Sequence, residues 1–118
     1  ICYDLRFPVF SRNLGKEVDL LVYVANWPAK RAAHWRALLQ ARAIENQCYV
    51  VGVNRLGIDG KGVGYQGDSM VVDFQGEIIT DACDRSGLHY TALNLDALND
   101  YRAAFPAWMD QDRFNLNL

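Results

Sequence analysis

Two apolar runs rich in Leu, Val and Tyr, Asp19 to Ala25 and Cys48 to Asn54, bracket a segment from Ala32 to Gln47 built largely of Ala, Leu, Arg and Gln. The first run is compact and predicts a strand buried on both faces, closed by Asn26-Trp27-Pro28. In the middle segment Trp35, Leu38 and Leu39 fall at helical spacing among strong helix formers, which predicts a helix. The second run returns as a strand. With further strands downstream, this order predicts an α/β fold: a mixed sheet with flanking helices.

Weaker signals surround this unit. Ile1-Cys2 reads as the end of a strand, and Pro8 suits the first turn of a helix running to Gly15. Five glycines between Leu56 and Gly67 predict a long turn, because the G-x-x-x-x-G-K-[ST] order of a phosphate-binding loop is missing. Ser69 to Phe74 and Glu77 to Asp81 flank Gln75-Gly76 as a hairpin. His89 to Leu95 predicts a further strand, and Asp96 is placed to cap a short helix through about Ala104. The aromatic-bearing tail from Phe105 to Leu118 has to pack against the rest.

Composition narrows the function classes. Of 118 residues 51% are hydrophobic and 22% charged, so a disordered tail is excluded. Fourteen acidic residues against 12 basic give a net charge of -2, which leaves no excess of positive charge for phosphates or anionic lipid. Neither nucleic acid nor a membrane is an expected partner, and the apolar stretch Leu20 to Ala25 is far short of the roughly 20 residues of a spanning helix. Cys2, Cys48 and Cys83 are odd in number and lack zinc or redox spacing, and His34 and His89 are far apart. No metal and no disulfide framework is expected, and a reducing compartment, the cytosol, suits the composition. Cys48 reads as a small buried hydrophobe and Cys83 as an incidental exposed thiol. The chain opens on Ile1-Cys2 without an initiator Met, which predicts a processed chain or a fragment.

Cys2 stands at the junction of a strand and a helix-bound turn, where backbone N–H groups can stabilise a thiolate and later an oxyanion. The segment Cys2-Tyr3-Asp4-Leu5-Arg6-Phe7-Pro8 resembles the nucleophile segment of the nitrilase superfamily, the carbon-nitrogen hydrolases. The resemblance continues in family order through Tyr23 to Pro28, His34-Trp35, Ala41 to Val50, Asn54-Arg55, Gly67 to Ser69 and the hairpin Val72 to Ile79. Asn26-Trp27-Pro28 and Phe105 to Trp108 are most similar to the omega-amidase branch. Val9, where many members have Glu, and Phe74, where many have Pro, depart from the pattern without touching the nucleophile.

The resemblance implies the C-terminal half of an α-β-β-α sandwich, so residues 1–118 would form a partial domain whose N-terminal half is absent. It implies hydrolysis of a non-peptide amide, 2-oxoglutaramate or a related omega-amide of a 2-oxo acid, to the acid and ammonia. Cys2 would be the nucleophile of a thioester intermediate, and the Tyr3 backbone N–H an oxyanion donor. Water completes the reaction and no cofactor is needed. The family's Glu base and Lys precede the cysteine, so they are expected upstream of Ile1, and the isolated chain is expected to be inactive. Arg6 is the candidate for the substrate carboxylate, with a structural ion pair to Asp4 as the competing reading. Trp27 and the Ala29-Lys30-Arg31 loop are expected to wall the pocket, with a core position after the strand as the competing reading for Trp27, whereas packing is expected for His34 and Trp35. Arg42 and Glu45 can pair on a solvated helix face, and the helix that carries them lies near the subunit contact in the family, which implies a homodimer of the parent enzyme. Two alternatives remain: a non-catalytic packing or association fragment, and a sibling activity on a nitrile, N-carbamoyl or glutamine amide.

Overall fold

The computed structural model describes residues 1–117. Strands β1 (Leu20–Ala25), β2 (Tyr49–Asn54), β5 (Met70–Val72) and β6 (Ile78–Asp81) form one sheet in the order β1-β2-β5-β6. β1 and β2 are parallel, and the two later pairings are antiparallel. The expected mixed sheet is present. Between β2 and β5 the chain forms a separate hairpin of β3 (Leu56–Ile58) and β4 (Gly64–Gln66).

Helix α1 spans Ala32–Asn46 and ends at Gln47 in the left-handed conformation, φ 46°. Its buried face, Trp35, Leu39, Arg42, Ala43 and Asn46, follows the helical period. Trp35 and Leu39 settle against Gly52 in β2, where an added Cβ would stand 2.4 Å from Leu39 Cδ1 and 2.7 Å from Trp35 Cζ2. That close approach requires glycine in mid-strand. Leu5, Tyr23, Ala25, Trp27, Cys48, Val50, Met70 and Val72 belong to the same core.

The opposite sheet face corrects the expectation that β1 is buried on both sides. Val22 and Val24 are each 57% exposed and Val53, opposite Val24, is 46% exposed. Alternation along β2 puts Tyr49 on the same face as Val53, and helix α2 (Leu95–Ala104) covers only the Tyr49 end through Leu98, beside Phe74. Phe74 contacts Tyr49 and Tyr101 with ring centroids 5.3 and 5.1 Å away. The remainder is an open apolar sheet surface.

Local chemistry explains the other departures from expectation. Ile1 joins no strand, and Cys2–Arg6 is a short 3-10 helix. The helix expected from Pro8 to Gly15 stops at Ser11, because the Asn13 side chain bonds instead to both backbone groups of Val18 and to Asn46. The glycine-rich segment becomes a hairpin because Asp59 Oδ1 accepts the N–H groups of Lys61 and Val63 and closes the turn. Residues 89–94 stay outside the ladders, and the Thr91 hydroxyl hydrogen-bonds that of Thr80 in β6. Asn94, rather than Asp96, caps α2 by accepting from Ala97 N. The tail folds back, with Trp108 N donating to Gln47 Oε1 and Gln111 Nε2 to the Asn13 carbonyl.

Two buried arginines fix the layers. Arg102 donates to the carbonyls of Gln47 and Val18 and pairs with Asp19 at 2.6 Å, tying α2 to the start of β1. Arg42, expected on a solvated face, is 3% exposed and donates to the Leu5 carbonyl as well as to Glu45. Its helical period carries it under the turn that bears Cys2.

Arg36 bridges Asp68 at 3.0 Å and Asp81 at 2.6 Å, joining α1 to the strand ends. The Arg36 hydrogen bond holds the Asp81 carboxyl down to about 2, against about 3.9 for a free Asp. A depressed folded-state value stabilises the fold above about pH 4, and that contribution is lost as the pH falls through about 2. Urea midpoints of the full-length protein between pH 4 and 2 are expected to fall less steeply in Asp81→Asn than in the wild type. Equal slopes would remove this ion pair from the acid response.

Candidate active site

Cys2 heads the first 3-10 turn with φ 39°, a left-handed conformation that is uncommon for a residue with a Cβ. The turn is held from below by fully buried Leu5, whose carbonyl accepts from Arg42. Tyr3 lies in the first turn, where backbone N–H groups have no intrahelical acceptor. Its side chain is exposed and packs edge-on against Phe7 at 5.2 Å. A half-buried thiol in a strained turn beside such an amide can attack an electrophilic carbon while the amide receives the developing oxyanion. No side chain among the described residues hydrogen-bonds the Cys2 thiol.

Arg6 follows on the same turn. It forms no ion pair with Asp4 or any other carboxylate among the described residues. Its guanidinium lies over the Trp27 ring at 4.7 Å and its Nη2 meets His34 Nδ1 at 3.2 Å. Trp27 is 3% exposed and forms a fixed floor. Its Nε1 donates to the Arg31 carbonyl, its N–H donates to Asn54 Oδ1, and its ring lies 5.6 Å from that of Trp35. Lys30 is exposed on the turn Ala29–Arg31 and is not brought to Cys2 by any hydrogen bond.

Four residues near this region carry roles that sequence inspection missed. Asn54 links three segments, accepting from Trp27 N and donating to the carbonyls of Trp27 and Gly67. His34, expected to pack, is exposed and bonded to Arg6. On the β3–β4 hairpin Tyr65 donates to Asp59 Oδ2 at 2.9 Å, and Arg55 lies over its ring at 4.7 Å. The Asp59 hydrogen bond raises the Tyr65 hydroxyl pKa. The amides of Val63 and Lys61, with the Tyr65 hydroxyl, lower that of Asp59. Of this region only the glycine-rich stretch from Leu56 to Gly67 was legible beforehand, and it read as a long turn.

The other thiols contrast with Cys2. Burial pushes the Cys48 thiol up to about 12, so it remains an inert core group at neutral pH. Cys83 is exposed, and its hydrogen bond to Asp81 raises its pKa. A cleft of about 430 Å³ lies on the open sheet face, lined by Val51, Val53 and Thr80 among others, and does not include Cys2 or Arg6. Among the described residues no cluster of three or more metal-ligating side chains occurs, and no helix is long and apolar enough to cross a membrane.

The sequence model of the family described as carbon-nitrogen hydrolase matches residues 1–103. The chain belongs to the carbon-nitrogen hydrolase family. It is 58% identical over 117 residues to omega-amidase YafV of Escherichia coli K12, covering 98% of this chain and 45% of that one. It is 42% identical over 111 residues to 2-oxoglutaramate amidase of Paenarthrobacter nicotinovorans, covering 93% of this chain and 37% of that one. Among solved structures, a CN-hydrolase superfamily protein from Xanthomonas campestris, with an arsenic adduct in its active site, superimposes with a TM-score of 0.94. Its sequence identity is 46%, over 98% of this chain and 46% of that one. The chain therefore spans less than half the length of these relatives.

Proposed function

We propose that this chain carries the nucleophile of an omega-amidase that hydrolyses 2-oxoglutaramate-like omega-amides of 2-oxo acids to the acid and ammonia. The observation that carries the reading is Cys2 at φ 39° on a buttressed turn, beside the Tyr3 amide and with Arg6 four residues on. The names of the two curated relatives support the same substrate class. The Cys2 sulfur attacks the amide carbon, the Tyr3 N–H stabilises the oxyanion, and ammonia leaves as the thioester forms. Water then hydrolyses the thioester and restores the thiol. Arg6 takes the substrate carboxylate, above Trp27, and exposed Lys30 belongs to the pocket rim.

The thiol needs a base, and the oxyanion a second donor, that no hydrogen bond to Cys2 among the described residues supplies. We assign both to the Glu and Lys of the family pattern, upstream of Ile1 in a longer domain of which residues 1–118 are the second part. That domain works in the cytosol as a homodimer. A second reading, that the chain by itself acts only by packing, is favoured by the open valine face.

Ammonia release from 2-oxoglutaramate by the full-length protein tests the substrate assignment. Turnover is expected; silence on omega-amides alongside turnover of a nitrile or an N-carbamoyl compound would overturn it in favour of a sibling activity. The isolated chain is expected to release no ammonia and to sediment as an associated species. A catalytically competent monomer would sink the partial-domain reading.

A further inference from the structure

We propose that His34 is a positioning residue that aims the Arg6 guanidinium at the substrate carboxylate, a role that rests on the omega-amide reading above. A guanidinium carries donors and no acceptor. The 3.2 Å contact between Arg6 Nη2 and His34 Nδ1 therefore uses the Nδ1 lone pair, with the imidazole neutral and its proton on Nε2. The second constraint is the Trp27 ring, 4.7 Å below the guanidinium carbon. A planar cation laid on a ring can still rotate within its plane and slide across the face. One hydrogen bond at Nη2 stops both motions and fixes the direction of the remaining N–H groups.

Both anchors stand on fixed backbone. Trp27 is buried and bonded to Arg31 and Asn54. His34 lies in the first turn of α1 immediately before Trp35, which is fully buried and donates through Nε1 to the Asp68 carbonyl at 2.8 Å. No hydrogen bond occupies Arg6 Nη1 or Nε among the described residues, which leaves an edge for a carboxylate. A long, flexible side chain held in its binding geometry before the ligand arrives loses less freedom on binding. The arrangement favours an acid-bearing amide over a neutral one at Cys2, whose Cα lies on the order of 8 Å from that of Arg6 along the turn axis.

The test uses the full-length protein, with His34→Ala and His34→Asn compared against Arg6→Ala. The Asn Oδ1 can take the place of Nδ1, so His34→Asn is expected to retain wild-type behaviour. In His34→Ala, KM for 2-oxoglutaramate is expected to rise roughly tenfold, with kcat nearly unchanged. A second readout is independent of turnover: alkylation of Cys2 by iodoacetate relative to neutral iodoacetamide, followed on the Cys2 peptide by mass spectrometry. The wild type is expected to prefer the carboxylate reagent, Arg6→Ala to lose that preference, His34→Ala to fall toward Arg6→Ala, and His34→Asn to keep it. Absence of omega-amide turnover with this alkylation pattern intact would sink the substrate reading and uphold the role of His34. A wild-type preference that is missing, or is unchanged in His34→Ala, would overturn the inference, as would a loss in His34→Asn equal to that in His34→Ala.

Discussion

Cys2→Ala in the full-length protein is expected to lower omega-amide turnover by at least about a thousandfold, because the proposed covalent mechanism then loses its nucleophile and keeps only binding and oxyanion stabilisation. Cys2→Ser is expected to retain little more, since a hydroxyl is a much weaker nucleophile than a thiolate at neutral pH. The substrate should still bind, because Arg6, Trp27 and the Tyr3 amide are untouched. Ammonia release under single-turnover conditions, with substrate retention on the inactive variant, separates the two effects. Turnover that survived Cys2→Ser intact would remove Cys2 from the chemistry.

Arg42→Met is expected to cost about 2 kcal/mol in the urea unfolding of the full-length protein. The Leu5 carbonyl would lose a charged donor inside the core, a penalty partly offset because a desolvated charge also disappears. The same bond supports the turn that holds Cys2 at positive φ, so kcat is expected to drop about tenfold while KM moves little. Fitting kcat and KM separately checks this, with denaturation midpoints measured on the same preparation. A destabilised variant with wild-type kcat would mean that Arg42 holds the layers together without setting the geometry of Cys2.

Much of the framework was legible because local interactions specify it. The period of Trp35 and Leu39 and the compact Leu/Val runs gave α1, β1 and β2 to within a residue or two. Where a side chain competed with the backbone, the local reading failed. Asn13 ends a helix that Pro8 opened, Asp59 turns a glycine-rich loop into a hairpin, and Asn94 takes the cap assigned to Asp96. The two-sided burial predicted for β1 also failed: within these residues only the α1 side of the strand is covered along its length, and Val22 and Val24 stand open on the other.

At the site the division is similar. The segment Cys2 to Pro8 supported a nucleophile only weakly by its spacing, and the resemblance of the whole segment to the family's nucleophile motif made the proposal specific. It left Arg6 undecided between Asp4 and a substrate. The structure places its guanidinium on Trp27 and beside His34, 28 residues away in sequence, and turns Arg42 inward under Leu5. The sequence by itself determined the β1-α1-β2 unit and the hairpin strands β5 and β6, because propensity and periodicity act over a few residues. Only the tertiary structure decided which side chains hold Arg6 and which arginine is buried, because these contacts form when α1 settles on the sheet through Gly52 and brings distant segments within bonding distance.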